Sequence, residues 1–220
     1  MKEEEVKKLK VDTKDLLKSI TDSLDALEYV KLDEIPNIDL YMDQVTTMMD
    51  KKLRAVTRYP EGDKILTKTM INNYAKNDLL PPPIKKKYSK EHVLVLIFIY
   101  YFKSILSISD IQTLLQPITE KYFQNGKEFG LKEIYEEVFQ MEPEEIEGLK
   151  KDMLEKYEKA NSTFQGLEEE DADFLRQFSF ICLLSYDVYI KKLIIEKMID
   201  DMKEKKTKTP AKQEKKNSEA

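Results

Sequence analysis

Four side chains between positions 68 and 76 have the types and spacing to recognise a nucleic acid. Lys68, Asn72, Asn73 and Lys76 fall at i, i+4, i+5 and i+8. On a helix that spacing puts them close to one face. Ammonium groups bind phosphate oxygens, and a side-chain amide can pair with the edge of adenine. A second cationic group follows nine residues on, as Lys85-Lys86-Lys87 ahead of Tyr88. Three adjacent cations with an aromatic neighbour suit backbone phosphates. The plainer alternative is a solvated polar helix face followed by an ordinary charge run.

Charge distribution gives this reading weight. The 220 residues hold 37 basic and 42 acidic side chains, a net charge of −5. An evenly acidic protein repels nucleic acid. Positions 64–92, however, carry seven lysines against Asp78 and Glu91, a net +5 that leaves −10 for the rest.

Other chemistries lack the residues they require. There is one cysteine, Cys182, and one histidine, His92. Together they cannot form an internal disulfide or a Cys/His metal set. Cys182 lies in the apolar run Phe178 to Leu184, which predicts a small buried hydrophobe. His92 has no catalytic partner placed by the sequence. No phosphate-cradling glycine loop occurs. The clusters Glu136-Glu137, Glu144-Glu145 and Glu168 to Asp171 suit helix starts, where the dipole favours negative charge. No enzyme activity, cofactor or metal is expected. The longest apolar run, Val93 to Phe102, is half what a membrane span needs. Met1 is followed by charged residues rather than a secretory signal. A cytoplasmic location is expected.

The elements that must position these groups are helical. Glycine is scarce (5 residues), tryptophan is absent, and leucine, lysine and glutamate abound. Leu16, Leu17, Ile20, Leu24, Leu27 and Val30 predict an amphipathic helix over 13–31. Asn37 is expected to cap the next helix, with Ile38, Tyr41, Val45, Met48, Leu53 and Val56 on its inner face. Residues 59–63 form a breaker-rich loop. Thr67 caps a helix running to about Asp78, with Met70, Ile71 and Tyr74 inward. Pro81, Pro82 and Pro83 cannot remain helical. Residues 84–88 read as a short extended piece, and Ser89 caps a helix that is apolar on every face and so buried all round. Ser107 and Asp110 resemble a capping box. Helices over roughly 130–140, 143–160 and 169–204 follow. The last has two apolar stripes, one with Leu175, Phe178, Cys182, Tyr189 and Leu193, the other with Phe174, Ile181, Val188, Ile195 and Ile199. Residues 205–220 are lysine-rich and apolar-poor, the composition of a disordered tail.

Residues 66–115 resemble the MerR-type winged helix-turn-helix. The recognition helix of that family reads as a small capping residue, Thr-Leu-Arg, an aromatic pair and Gly-Leu-Leu-Pro-Pro. The matching run here is Thr67, Met70-Ile71-Asn72, Asn73-Tyr74 and Leu79-Leu80-Pro81-Pro82. A Tyr-Ser pair ends the family's wing and matches Tyr88-Ser89, followed by Val93, Leu96 and Ile99 at its core positions. The family's next helix opens Ser-Leu-x-x-Ile, matching Ser107-Ile108-Ser109-Asp110-Ile111. The whole chain also resembles a bacterial family of unknown function built on this module. Several positions depart from the pattern. Asn72 stands where the family has its phosphate-binding arginine, Asp78 where it has the helix-ending glycine, and the wing is short. Leu94, Val95, Ile97, Tyr100 and Tyr101 occupy positions that are polar in the family. They must be covered, by the flanking helices or by a second subunit.

The resemblance implies an all-α protein with a MerR-like winged helix-turn-helix embedded in a larger helical domain. It divides the chain into an N-terminal helix (1–36), the winged module (37–125), a C-terminal helical region (126–204) and the tail (205–220). It implies a transcriptional regulator that binds double-stranded DNA through Lys68, Asn72, Asn73, Lys76, Lys85, Lys86, Lys87 and Tyr88. A homodimer through the 169–204 helix is expected, because two half-sites need two readers. The alternative is a protein-interaction module that kept the fold and no longer binds DNA.

Overall fold

The computed structural model describes residues 13–25, 29–54, 57–59 and 61–208. The predicted residues Leu27 and Val56 and most of the lysine-rich tail lie outside them. The chain is mostly helical and divides into two compact units. One combines Met1–Tyr29 with Gln140–Tyr189; the other combines Val30–Phe139 with Ile190–Ala220.

In the first unit, helix α1 (Thr13–Asp25) packs on helix α7 (Glu142–Asn161), with Leu17 buried. Helix α8 (Glu169–Lys208) contributes its residues up to Tyr189. Tyr157 of α7 meets the ring of Phe180 edge-on at 5.7 Å. The ammonium of Lys156 lies 2.7 Å from the Asp187 carboxylate and also pairs with Asp152. Arg176 pairs with Asp173 at 3.5 Å and Glu169 at 3.4 Å, and donates to the Thr163 carbonyl. Glu169, Asp173, Arg176 and Asp187 of α8 are therefore engaged within the unit. Apolar side chains of the same helix are not: Phe174, Phe178, Ile181, Tyr186, Val188 and Tyr189 are each more than half exposed. Cys182 is exposed among them rather than buried as expected. Within the run that suggested burial, Phe178, Ile181 and Cys182 face outward while Phe180 packs on Tyr157.

The second unit contains the lysine-rich segment. After a single 3-10 turn at Leu32–Glu34 come strand β1 (Leu40–Tyr41) and helix α2 (Met42–Leu53), with Val45, Met49 and Leu53 buried. The helix does not start at Asn37. Leu40 is drawn into a strand pair, so the helix begins after Tyr41, whose backbone N–H donates to Gln44 Oε1 at 2.8 Å. Asn37 instead accepts from Lys90 Nζ at 3.0 Å. Helix α3 (Lys68–Lys76), strand β2 (Lys87–Tyr88) and helices α4 (Lys90–Phe102), α5 (Ile108–Tyr122) and α6 (Leu131–Phe139) complete the unit with the end of α8.

Helix α4 is the core of this unit. His92 and every residue from Val93 to Ile99 are buried. Part of the cover required for its outward positions comes from α6: Phe98 packs against Tyr135 and Phe139, and Tyr101 against Phe139, at 5.5–5.6 Å between ring centroids. Leu94, Val95 and Ile97 are also buried within one chain. Tyr135 is fully buried, and its hydroxyl donates to the Val30 carbonyl at 2.7 Å. The end of α8 is fixed to α5 by Lys203, 2.7 Å from the Asp110 carboxylate, and by Lys206, which donates to Gln116. Among the described residues, no helix is long and apolar enough to cross a membrane.

Candidate nucleic-acid interface

Helix α3 starts where its sequence signals a start. The Thr67 hydroxyl accepts from the backbone N–H of Met70 at 3.1 Å, satisfying one of the donors a helix start leaves unpaired. Ile71 and Tyr74 face the core. Lys68, Asn72, Asn73 and Lys76 are all exposed, so the structure brings the four predicted side chains to the surface of one short helix. Asp78 ends the helix in the left-handed conformation, φ +53°. Chain reversal there lets the N–H groups of Leu79 and Leu80 both donate to the Tyr74 carbonyl, at 2.9 and 3.2 Å, and buries both leucines. Asp78 thus takes up a backbone conformation that usually selects glycine. The last turn is fixed by Gln112 of α5, which donates to the Asn77 carbonyl at 3.1 Å.

Lys68 forms an ion pair with Asp43 in the first turn of α2. Both side chains are well exposed, so the pair adds at most about 1 kcal/mol to stability. Its chemical effect is to partly neutralise one cation of the row.

The extended piece predicted after the prolines is a hairpin. Ile84 and Lys87 exchange both backbone hydrogen bonds, at 3.1 and 2.9 Å, around a two-residue turn at Lys85 and Lys86. The turn residues have φ of +50° and +64°. Two consecutive left-handed residues define the turn type that matches strand twist, and Asn-Gly is its usual sequence. Two lysines there cost roughly 1–2 kcal/mol each in backbone strain. Lys85 and Lys86 are held exposed at the tip. The hairpin continues into the β1–β2 pair, antiparallel, with Leu40 opposite Tyr88 and Tyr41 opposite Lys87.

This pairing corrects one predicted site residue. Tyr88 is 3% exposed and sits on the inner face of the small sheet with Leu40. Burial pushes its phenol pKa up. Its ring fills the core beneath the hairpin and does not face solvent. Lys87 is half-buried, with its ammonium 5.3 Å from the centroid of the Tyr41 ring. Tyr41 and Asp43 were not legible as members of this surface, since only a two-residue strand and a single ion pair bring them to it.

His92 is engaged at the start of α4. It sits at the third position of α4, where a glutamate or glutamine would complete a capping box. Its Nδ1 accepts the Ser89 backbone N–H at 3.0 Å and lies 2.8 Å from the Ser89 hydroxyl. Nε2 then carries the proton and faces the Pro82 carbonyl at 3.4 Å. The rings of Tyr88 and Phe123 flank it edge-on. Burial holds its pKa below the usual imidazole value, against the opposing pull of the Pro82 and Pro81 carbonyls and the charge of Asp39. The imidazole thereby fastens the proline run to the start of α4.

Among the described residues, no group of three or more His, Cys, Asp or Glu side chains could hold a metal ion. No curated protein and no solved structure matches the chain. Residues 30–138, which run from before β1 into the last turn of α6 and contain the whole of this surface, match the model of a family described as a domain of unknown function, DUF1836.

Proposed function

We propose that this protein binds double-stranded DNA as a MerR-like winged helix-turn-helix protein and regulates transcription in the bacterial cytoplasm. The observation that carries the reading is one arrangement. A short helix exposes Lys68, Asn72, Asn73 and Lys76, and a strained hairpin beside α2 exposes Lys85 and Lys86. In this reading α3 enters the major groove. Asn72 and Asn73 meet base edges, while the lysines bind phosphates on either side. It involves no catalysis, cofactor or metal.

A titration against genomic DNA fragments at several salt concentrations tests it. Binding through phosphates weakens linearly in log–log form as salt rises. Replacing Lys85, Lys86 and Lys87 by alanine lowers affinity for every sequence and flattens that dependence. Replacing Asn72 or Asn73 changes sequence preference instead. A triple-lysine variant that binds as tightly as the parent rules out the hairpin as a contact.

A partner reading accompanies it. The uncharged outer face of α8 between Phe174 and Tyr189 supports a homodimer, which would present two copies of α3 to two half-sites. The same face supports the second reading, a protein-interaction module that retains the fold without binding DNA. The salt titration separates them, because a module of that kind shows no salt-dependent DNA affinity.

A further inference from the structure

We propose that Tyr41 and Ile84 belong to the DNA-contacting surface, Ile84 as an apolar contact to the deoxyribose wall of the groove and Tyr41 as the positioning residue of Lys87. This rests on the DNA-binding reading and extends it to two residues that carry no charge.

The argument begins with register. Tyr41 is opposite Lys87 in the β1–β2 pair, and Lys87 is opposite Ile84 across the turn. Directly opposed residues project from the same side of a sheet. The three therefore stand in a row on one face, apolar–cationic–aromatic. The neighbouring pair, Leu40 and Tyr88, points the other way and is buried. Tyr41 is 55% exposed and Ile84 61% exposed, so the row faces solvent.

The row also joins the two halves of the candidate surface. Tyr41 directly precedes α2, and Asp43 in that helix's first turn pairs with Lys68 at the start of α3. Lys87 leads through the turn to Lys85 and Lys86. A path of neighbouring groups thus runs from α3 to the hairpin tip, and Tyr41 and Ile84 are its uncharged members.

Duplex DNA fits this alternation. Its backbone presents phosphates separated by apolar sugar faces. Lys85, Lys86 and Lys87 complement the phosphates. Ile84, fixed beside them at the end of the row, meets the sugar face at the groove edge. The Tyr41 ring attracts the Lys87 ammonium and limits where it can reach. The acidic neighbours do not cancel the fit: Asp43 is already paired, and five lysines stand against Asp39, Asp43 and Asp78 in the same surface.

The test uses the full chain and a duplex selected by the parent protein, with affinity measured across salt concentrations and folding checked by thermal melting. Ile84→Ala is expected to weaken binding about fivefold, the scale of roughly one methylene's worth of apolar cover, with the salt dependence unchanged because no counterion is involved. Tyr41→Ala is expected to weaken binding and flatten the salt dependence, and Tyr41→Phe, which keeps the ring, to restore both. An Ile84→Ala variant with parental affinity, or one whose loss comes with a flattened salt dependence, overturns the role of Ile84. Equal loss in Tyr41→Phe and Tyr41→Ala overturns that of Tyr41. Absence of any salt-dependent affinity in the parent overturns the underlying DNA reading, and is read before any variant is made.

Discussion

His92 Nδ1 accepts the backbone N–H of Ser89 at 3.0 Å, so the only imidazole in the chain must stay neutral to hold the first turn of α4. Protonation would place two donors face to face. Burial lowers the folded-state pKa below the ordinary 6.5. The unfolded chain therefore takes up this proton first as pH falls. The associated stability is complete above about pH 6.5 and is lost as pH drops below it, at up to about 1.4 kcal/mol per pH unit while only the unfolded state titrates. Thermal melts at pH 7.5 and 5.5 should show this loss in the parent. His92→Gln, which can still accept from Ser89, should show a smaller one. Equal acid sensitivity in the two proteins would place the titrating group elsewhere.

In the DNA-binding reading, Asp43 competes with phosphate for Lys68. Asp43→Asn removes the competing charge and leaves α2 with a polar first turn. It is expected to tighten DNA binding severalfold at low salt and to change stability by less than about 1 kcal/mol, since the pair is exposed. Unchanged affinity would mean that Lys68 makes no phosphate contact.

The turn at Lys85 and Lys86 holds two side chains in a backbone conformation they disfavour. The double substitution Lys85→Asn, Lys86→Gly supplies residues suited to it and should stabilise the protein by roughly 1–2 kcal/mol in chemical denaturation. The same variant should bind DNA more weakly, with its salt slope reduced by about two. A variant no more stable than the parent would show that the left-handed turn is not populated in solution.

The exposed face of α8 predicts a specific cross-link. Its apolar stretch from Phe174 to Tyr189 is centred between Ile181 and Cys182. Antiparallel pairing of two such faces about that centre brings Cys182 close to the same residue of a second copy. Six half-exposed large side chains at roughly 100 Å² each approach the ~800 Å² per partner of a stable interface. Mild oxidation should yield a disulfide-linked species of twice 26.0 kDa. Phe178→Glu should abolish it and leave a monomer in sedimentation. A parent that sediments as a monomer at micromolar concentration would sink the dimer.

Local signals in the sequence translated well into structure. Thr67, Ser89 and Ser107 each precede a helix because a cap needs only the next three residues. The run from Val93 to Ile99 reads as buried because no face of it is polar. Signals that depend on distant partners did not translate. Tyr88 looked like a contact residue because it follows three lysines, yet its neighbour across the sheet is Leu40, 48 positions earlier, and that pairing turns it inward. Asn37 is a good cap by type but lost the role to a strand pair. Cys182 lies in an apolar run, and only the packing of α7 against Phe180 of that run leaves Cys182 on the outer side. The lysines and amides of α3 were legible because exposure on an amphipathic helix follows from spacing alone. Tyr41 was not, since nothing near it in sequence announces Lys87.

The bond from Tyr135 to Val30 joins the two ends of one stretch of chain. Positions 30 and 135 lie near the two limits of the family match, and the first compact unit is assembled from what precedes and follows that stretch, Met1–Tyr29 and Gln140–Tyr189. The second unit also takes the end of α8, held by Lys203 on Asp110 and Lys206 on Gln116, so the chain passes between the two units three times. The Tyr135–Val30 bond closes the intervening stretch on itself, but Val30–Phe139 moved alone into another protein would leave Asp110 and Gln116 without those partners. A transplant would have to carry the end of α8 with it.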